Sequence, residues 1–215
     1  MKFSFDGIIV LSLHKTLRFM KSFSQVSIKD LETIFGIKTV KGNFIPSVEN
    51  ELIPSWLQHI IENRRASLAT MRSEKSISEA LIAPILMAVE EKYKDKITLF
   101  SGEPLATDEL SGICDFIITK DPAAFDPKGG YFILVEAKKQ DLLSGVPQCI
   151  AEMYAAQVLN DNNETVFGCV STGLEWIFIK LENKIATTDP TIFTITETST
   201  ILGVFTYLIV GLAKT

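Results

Sequence analysis

Nine residues, Tyr131 to Lys139, constrain this chain more than any other stretch. Tyr131-Phe132-Ile133-Leu134-Val135 is an unbroken apolar run of aromatic and branched side chains, and it predicts a buried β-strand. The run closes on Glu136-Ala137-Lys138. Side chains alternate across a strand, so Glu136 and Lys138 share one face while Val135 and Ala137 share the other. Two opposite charges at the end of a buried run cost free energy unless they pair or are put to use.

The pattern on either side supplies the elements such a strand needs. Residues 73–94 predict a helix, with Ser73 and Ser76 both placed to cap it and Glu79 at capping-box spacing from Ser76. Ile77, Leu81, Ile82, Ile85, Leu86 and Val89 leave that helix apolar on most sides, hence buried, with Glu79 beside the Ile82–Leu86 stripe and Pro84 at a kink or in an early turn. Strands follow at 96–101, 113–119 and 131–138. The loop 121–130, rich in Pro and Gly, joins the last two as an antiparallel pair. A helix over 146–159 has Ser144 as its cap and Pro147 in its first turn. Strands at 165–171 and 175–181 flank Thr172-Gly173, and a strand at 191–196 leads into a helix at 199–212. This order predicts an α/β or α+β fold, a central mixed sheet flanked by helices on both faces. Upstream, 3–13 reads as a strand, 27–35 and 48–71 as helices. Residues 1–70 are therefore expected as a mainly helical extension packed on a core of residues 71–215.

Composition narrows the class. A 47% hydrophobic and 22% charged chain is not a disordered one. The net charge of −5 argues against nonspecific coating of nucleic acid. Basic residues such as Arg64, Arg65, Arg72 and Lys75 concentrate before residue 97, a bias that suits a phosphate-contacting half beside an acidic one but suits solvated helix faces better. The apolar run 201–213 is too short to span a bilayer and reads as a buried helix; Asp6 interrupts the apolar N-terminus, so no signal peptide is expected. Cys114, Cys149 and Cys169, odd in number and widely spaced, fit free thiols in a reducing cytoplasm.

Most familiar chemistry is excluded. The chain has no GxGxxG and no phosphate-binding Walker sequence, and its two histidines, His14 and His59, stand apart from one another. What remains is carboxylate chemistry. Asp115 sits in the middle of a predicted strand, where an ionised Asp is poorly suited, and Glu136 lies across the hairpin from it. With Glu79 they would form an oxygen-rich site for a hard cation, since Mg²⁺ is held by one or two carboxylates together with waters and phosphates. Lys138, on the face of Glu136, could orient or deprotonate an attacking water or stabilise charge on a phosphate.

Gly112-Ile113-Cys114-Asp115-Phe116, then Val135-Glu136-Ala137-Lys138, then Gln148 opening the next helix, resembles the PD-(D/E)XK nuclease superfamily, the restriction-endonuclease-like fold. The segment Ser78-Glu79-Ala80-Leu81-Ile82 resembles its acidic first helix, and the resemblance covers about residues 73–180. Asp115 lacks a preceding proline, and Tyr154 stands six residues after Gln148 where one branch has a Tyr at four. The resemblance implies a Mg²⁺-dependent endonuclease or exonuclease, with Mn²⁺ as substitute, acting on phosphodiester bonds of nucleic acid, DNA above RNA. It implies Asp115 and Glu136 as metal-binding carboxylates, the Ala137 carbonyl as a further ligand, Glu79 as a contributor to the metal, Lys138 as the catalytic lysine and Gln148 as an orienting group. Lys139 and Glu152 are read as solvated. Residues 1–70 are expected to contact nucleic acid or a second copy in a homodimer. Two other readings are open: a catalytically inactive nuclease-fold module for nucleic-acid binding or assembly, and a small-molecule hydrolase using the same carboxylates.

Overall fold

The computed structural model describes residues 20–67, 70–160 and 164–210. The expected strand at 3–13 and His14 lie outside the described residues. A nine-stranded mixed sheet runs through the molecule. Its strands are β1 (Lys21–Ser22), β2 (Lys38–Lys41), β3 (Thr98–Ala106), β4 (Leu110–Thr119), β5 (Tyr131–Ala137), β6 (Val166–Ser171), β7 (Glu175–Glu182), β8 (Ile185–Thr188) and β9 (Phe193–Thr194). They are ordered β1-β4-β5-β6-β7-β8-β2, with β3 also on β4 and β9 on β7. The helices are α1 (Ile28–Thr33), α2 (Ser55–Ala66), α3 (Glu74–Ile77), α4 (Ala83–Tyr93), α5 (Val146–Leu159) and α6 (Thr198–Val210). The mixed sheet flanked by helices is the fold class read from the sequence.

β5 sits near the middle, antiparallel to β4 and parallel to β6, and every one of its residues is buried. Helices cover both faces. Ile133, Val135 and Ala137 pack with Leu57 of α2, Ile85 and Leu86 of α4, and Phe205 and Leu208 of α6. Leu134 packs on the other side with Cys149, Ile150 and Met153 of α5 and Leu31 of α1. Coverage on both sides is what an uninterrupted apolar strand requires. α5 is the crossover between the parallel neighbours β5 and β6, and it lies close to the sheet: a Cβ on Gly168 would stand 2.4 Å from the Met153 sulfur and 2.7 Å from that of Cys149.

The elements differ from the sequence reading in several places: β8 was not expected, and α5 follows Gly145 with no side-chain cap where Ser144 was expected as one. The helix expected over 73–94 is three segments end to end, because a π-helical turn, Ser78–Ile82, separates α3 from α4. Ser73 is the cap, exchanging hydrogen bonds with Ser76, and Pro84 falls in the first turn of α4 where its missing N–H costs nothing. Residues 20–67 are helical at α1 and α2 but also form β1 and β2, the two ends of the sheet path. Among the described residues no helix is long and apolar enough to cross a membrane.

Candidate active site

Where β4 and β5 part, their ladder stops at the pair Phe116↔Val135. One residue beyond, the Asp115 side chain takes over as the acceptor: Oδ2 receives the Ala137 N–H at 2.8 Å. The carboxylate is thus fixed in the gap between two diverging strands, close enough to Glu136 for each carboxyl to influence the other's ionisation. Burial raises its pKa, and the Ala137 N–H and the Lys138 charge only partly oppose that.

Glu136 is 2% exposed. Its Oε1 accepts from Lys138 Nζ at 2.5 Å, while Oε2 has no hydrogen-bond partner. Burial and the neighbouring Asp115 push its pKa up to about 7, against the pull of Lys138. Lys138 continues the ladder with β6 through its N–H to Ser171 O at 2.8 Å, so its side chain returns to the face of Glu136 as alternation requires. Burial works against the ammonium charge, but the Glu136 carboxylate outweighs it and holds the pKa above the ordinary value. The lysine stem needs room as well: a Cβ on Gly145 would lie 3.0 Å from Lys138 Cγ and 2.6 Å from Val170 Cγ1.

Gln148, two residues into α5, turns its amide to this pair. Oε1 accepts from Lys138 Nζ at 3.1 Å and Nε2 donates to Glu152 Oε1 at 3.2 Å. Glu152, read from the sequence as solvated, is fully buried. Burial and then the charge of Glu136 hold its pKa well above the carboxylate range. Its Oε2, like that of Glu136, has no donor, yet the two carboxyls lie within hydrogen-bond reach.

Asp115, Glu136, Ala137, Lys138 and Gln148 therefore converge. Glu79 does not join them. It is exposed in the π-helical turn and lies 3.8 Å from Lys75. A π turn takes an extra residue per turn, so the phase counted back from Ile82 no longer holds. The acid of that helix whose charge reaches Asp115 and Lys138 is Glu74, the first residue after the Ser73 cap. His59 is on the surface, bonded to Asn63 at 2.9 Å. The three cysteines are free, buried thiols.

Sequence reasoning missed Glu74, Gly145 and Glu152. A signal for Glu152 was present: Gln148, Glu152, Tyr154 and Gln157 are the polar residues of an otherwise apolar α5, and Gln148 and Glu152 are four apart on one face. Among the described residues no group of three His, Cys, Asp or Glu side chains stands ready as a metal cage. Mg²⁺ needs only one or two carboxylates beside waters and phosphate, and the unpartnered Glu136 Oε2 next to Asp115 fits that smaller donor set. A cavity of about 450 Å³ lined by Glu51, Trp56, Lys92, Tyr93 and Thr206 involves none of these groups. Compared with protein-family models the chain matches none. Compared with curated proteins it likewise has no match.

Proposed function

We propose that this chain is a divalent-metal-dependent nuclease of the PD-(D/E)XK, restriction-endonuclease-like kind, hydrolysing phosphodiester bonds with DNA as its substrate. The observation that carries the reading is Glu136: a carboxyl 2% exposed, one oxygen on Lys138 Nζ at 2.5 Å and the other without a donor, beside Asp115. A buried carboxyl in that state takes either a proton or a cation. Asp115, Glu136 and the Ala137 carbonyl are the groups that would hold Mg²⁺ or Mn²⁺, with Glu74 and not Glu79 as the acid near them. The chemistry such a cation supplies when bound is neutralisation of charge on the non-bridging phosphate oxygens and the leaving oxygen. Lys138 supplies the cationic donor that orients the attacking water and accompanies the charge growing on the phosphate. Gln148 Oε1 is a second acceptor, beside Glu136 Oε1, that holds the ammonium in place.

The test is cleavage of single- and double-stranded DNA and RNA in Mg²⁺ or Mn²⁺. Glu136→Ala and Lys138→Ala are each expected to lower the rate at least about 100-fold, the scale set by removal of one preorganised electrostatic group. Variants that cleave as the wild type does sink the reading. The short Lys138–Glu136 contact also favours a second one, a non-catalytic binding or assembly module in which the pair is structural. Calorimetric titration with Mn²⁺ separates the two, because a structural ion pair takes up no metal.

A further inference from the structure

Glu152 is a buried acid that phosphodiester chemistry at Asp115, Glu136 and Lys138 does not itself require. Its surroundings on α5 are apolar: Cys149, Ile150, Ala151, Met153, Ala155 and Ala156 are all fully buried. An apolar side chain would fit that helix at lower cost, since a carboxyl taken from water must be repaid by hydrogen bonds. Its bonds lead to one place. Glu152 Oε1 accepts from Gln148 Nε2 at 3.2 Å, and Gln148 Oε1 accepts from Lys138 Nζ at 3.1 Å. An ammonium only donates, so the amide must present its oxygen to Lys138 and its NH₂ to the acceptor on Glu152. Gln148 itself is only half-buried. Without an acceptor behind it, its amide is free to turn to water.

We infer that Glu152 is a positioning residue that anchors the Gln148 amide, so that Gln148 Oε1 and Glu136 Oε1 grip the Lys138 ammonium from two sides. In this role Glu152 acts through Gln148, while its carboxyl also lies within hydrogen-bond reach of Glu136. The structural link stands on the hydrogen bonds alone, whereas its catalytic consequence rests on the nuclease reading.

The experiment uses the full chain with Glu152→Gln, Glu152→Met, Gln148→Met and the Glu152→Met/Gln148→Met double variant. The amide of Glu152→Gln keeps an acceptor for Gln148 and offers Glu136 a donor, so it should rescue; Glu152→Met removes both at similar volume. The first readout is the side-chain ¹H–¹⁵N pair of Gln148 in protein labelled at glutamine, assigned by its loss in Gln148→Met. In wild type and Glu152→Gln this pair is expected to be shifted from free glutamine and slow to exchange with water; in Glu152→Met it becomes free and fast. The second readout is cleavage in Mn²⁺: Glu152→Met is expected to lower kcat about tenfold or more with KM within about twofold, and the double variant to lose no more than either single one. A Gln148 amide that stays shifted and protected in Glu152→Met overturns the proposal, as does Glu152→Gln behaving like Glu152→Met, or additive losses in the double variant. If Glu152→Met does not fold, Glu152→Ala takes its place with the same amide readout. If the wild type cleaves nothing, the nuclease reading fails by itself, and the Gln148 resonances still decide the anchoring.

Discussion

Glu136 is where sequence, burial and charge meet most sharply. Its carboxyl is displaced upward to about 7 from an ordinary 4.5, first by burial and then by Asp115. A group whose pKa is higher in the folded than in the unfolded chain contributes stability that is full below the unfolded value and lost as pH rises through the folded one. Glu152 is shifted in the same direction. The metal-free protein is therefore expected to lose stability between about pH 5 and pH 8, by up to roughly 3 kcal/mol from Glu136 alone, the value of a shift of that size. Melting temperatures recorded across that range check it: the fall should flatten in Glu136→Gln, and an equal fall in wild type and variant would contradict the assignment. The pairing of Glu136 with Lys138 was legible in the sequence because strand alternation is a local rule. The burial of Glu152 was harder to read, because what covers an α5 side chain is β5, a neighbour only in space.

At the level of elements, the site depends on how closely α5 lies on the sheet. Gln148 and Glu152 both belong to this helix, and it approaches β6 over the bare backbone of Gly168, where an added Cβ would meet the sulfurs of Met153 and Cys149. Gly168→Ala is expected to cost about 1–3 kcal/mol, the usual range for an overpacked core, and to move Gln148 away from Lys138 together with the helix. Denaturant unfolding measures the first effect, and the Gln148 side-chain resonance measures the second. An unchanged midpoint would show that the contact yields freely. α5 and β5 were readable as elements from their apolar runs, with α5 bounded as expected. The helix at 73–94 was readable as a helix but not in phase, since its π turn leaves Glu79 in solvent and the acid whose charge reaches the site is Glu74. β8 was not anticipated at all. It pairs with β7 across the two-residue turn Asn183-Lys184, in which both residues have positive φ, and a lysine there carries no turn signal of the Asn-Gly kind.

Across the described molecule, residues 20–67 are woven into the core and not merely laid upon it. β2 pairs in parallel with β8, and β1 with β4. Asp189, buried near the other end of the chain, accepts the backbone N–H groups of Phe44, Ile45 and Thr191 at 3.0 Å each. Burial opposes its charge, but these three donors hold its carboxyl below the ordinary value. Asp189→Ala leaves part-buried backbone donors unpaired and is expected to destabilise the protein by about 1–3 kcal/mol. Chemical denaturation tests this, with Mn²⁺ affinity unchanged because none of the proposed ligands is touched. A loss below about 0.5 kcal/mol, the range of ordinary surface substitutions, would show that the N-terminal segment is held by other contacts.

By itself, the sequence determined the central strand, the face shared by Glu136 and Lys138, the carboxylate opposite them at Asp115 and the class of sheet they belong to. These follow from alternation and apolar runs, which act over a few residues. Only the tertiary structure decided which acid of the first helix sends its charge to the site, that Glu152 is buried behind Gln148, and that residues 21–22 and 38–41 close the two ends of the sheet path. Those outcomes depend on helix phase and on which surfaces cover one another. A carboxyl is pushed toward protonation or toward a partner by everything packed around it, and most of what surrounds Glu136 comes from parts of the chain distant in sequence.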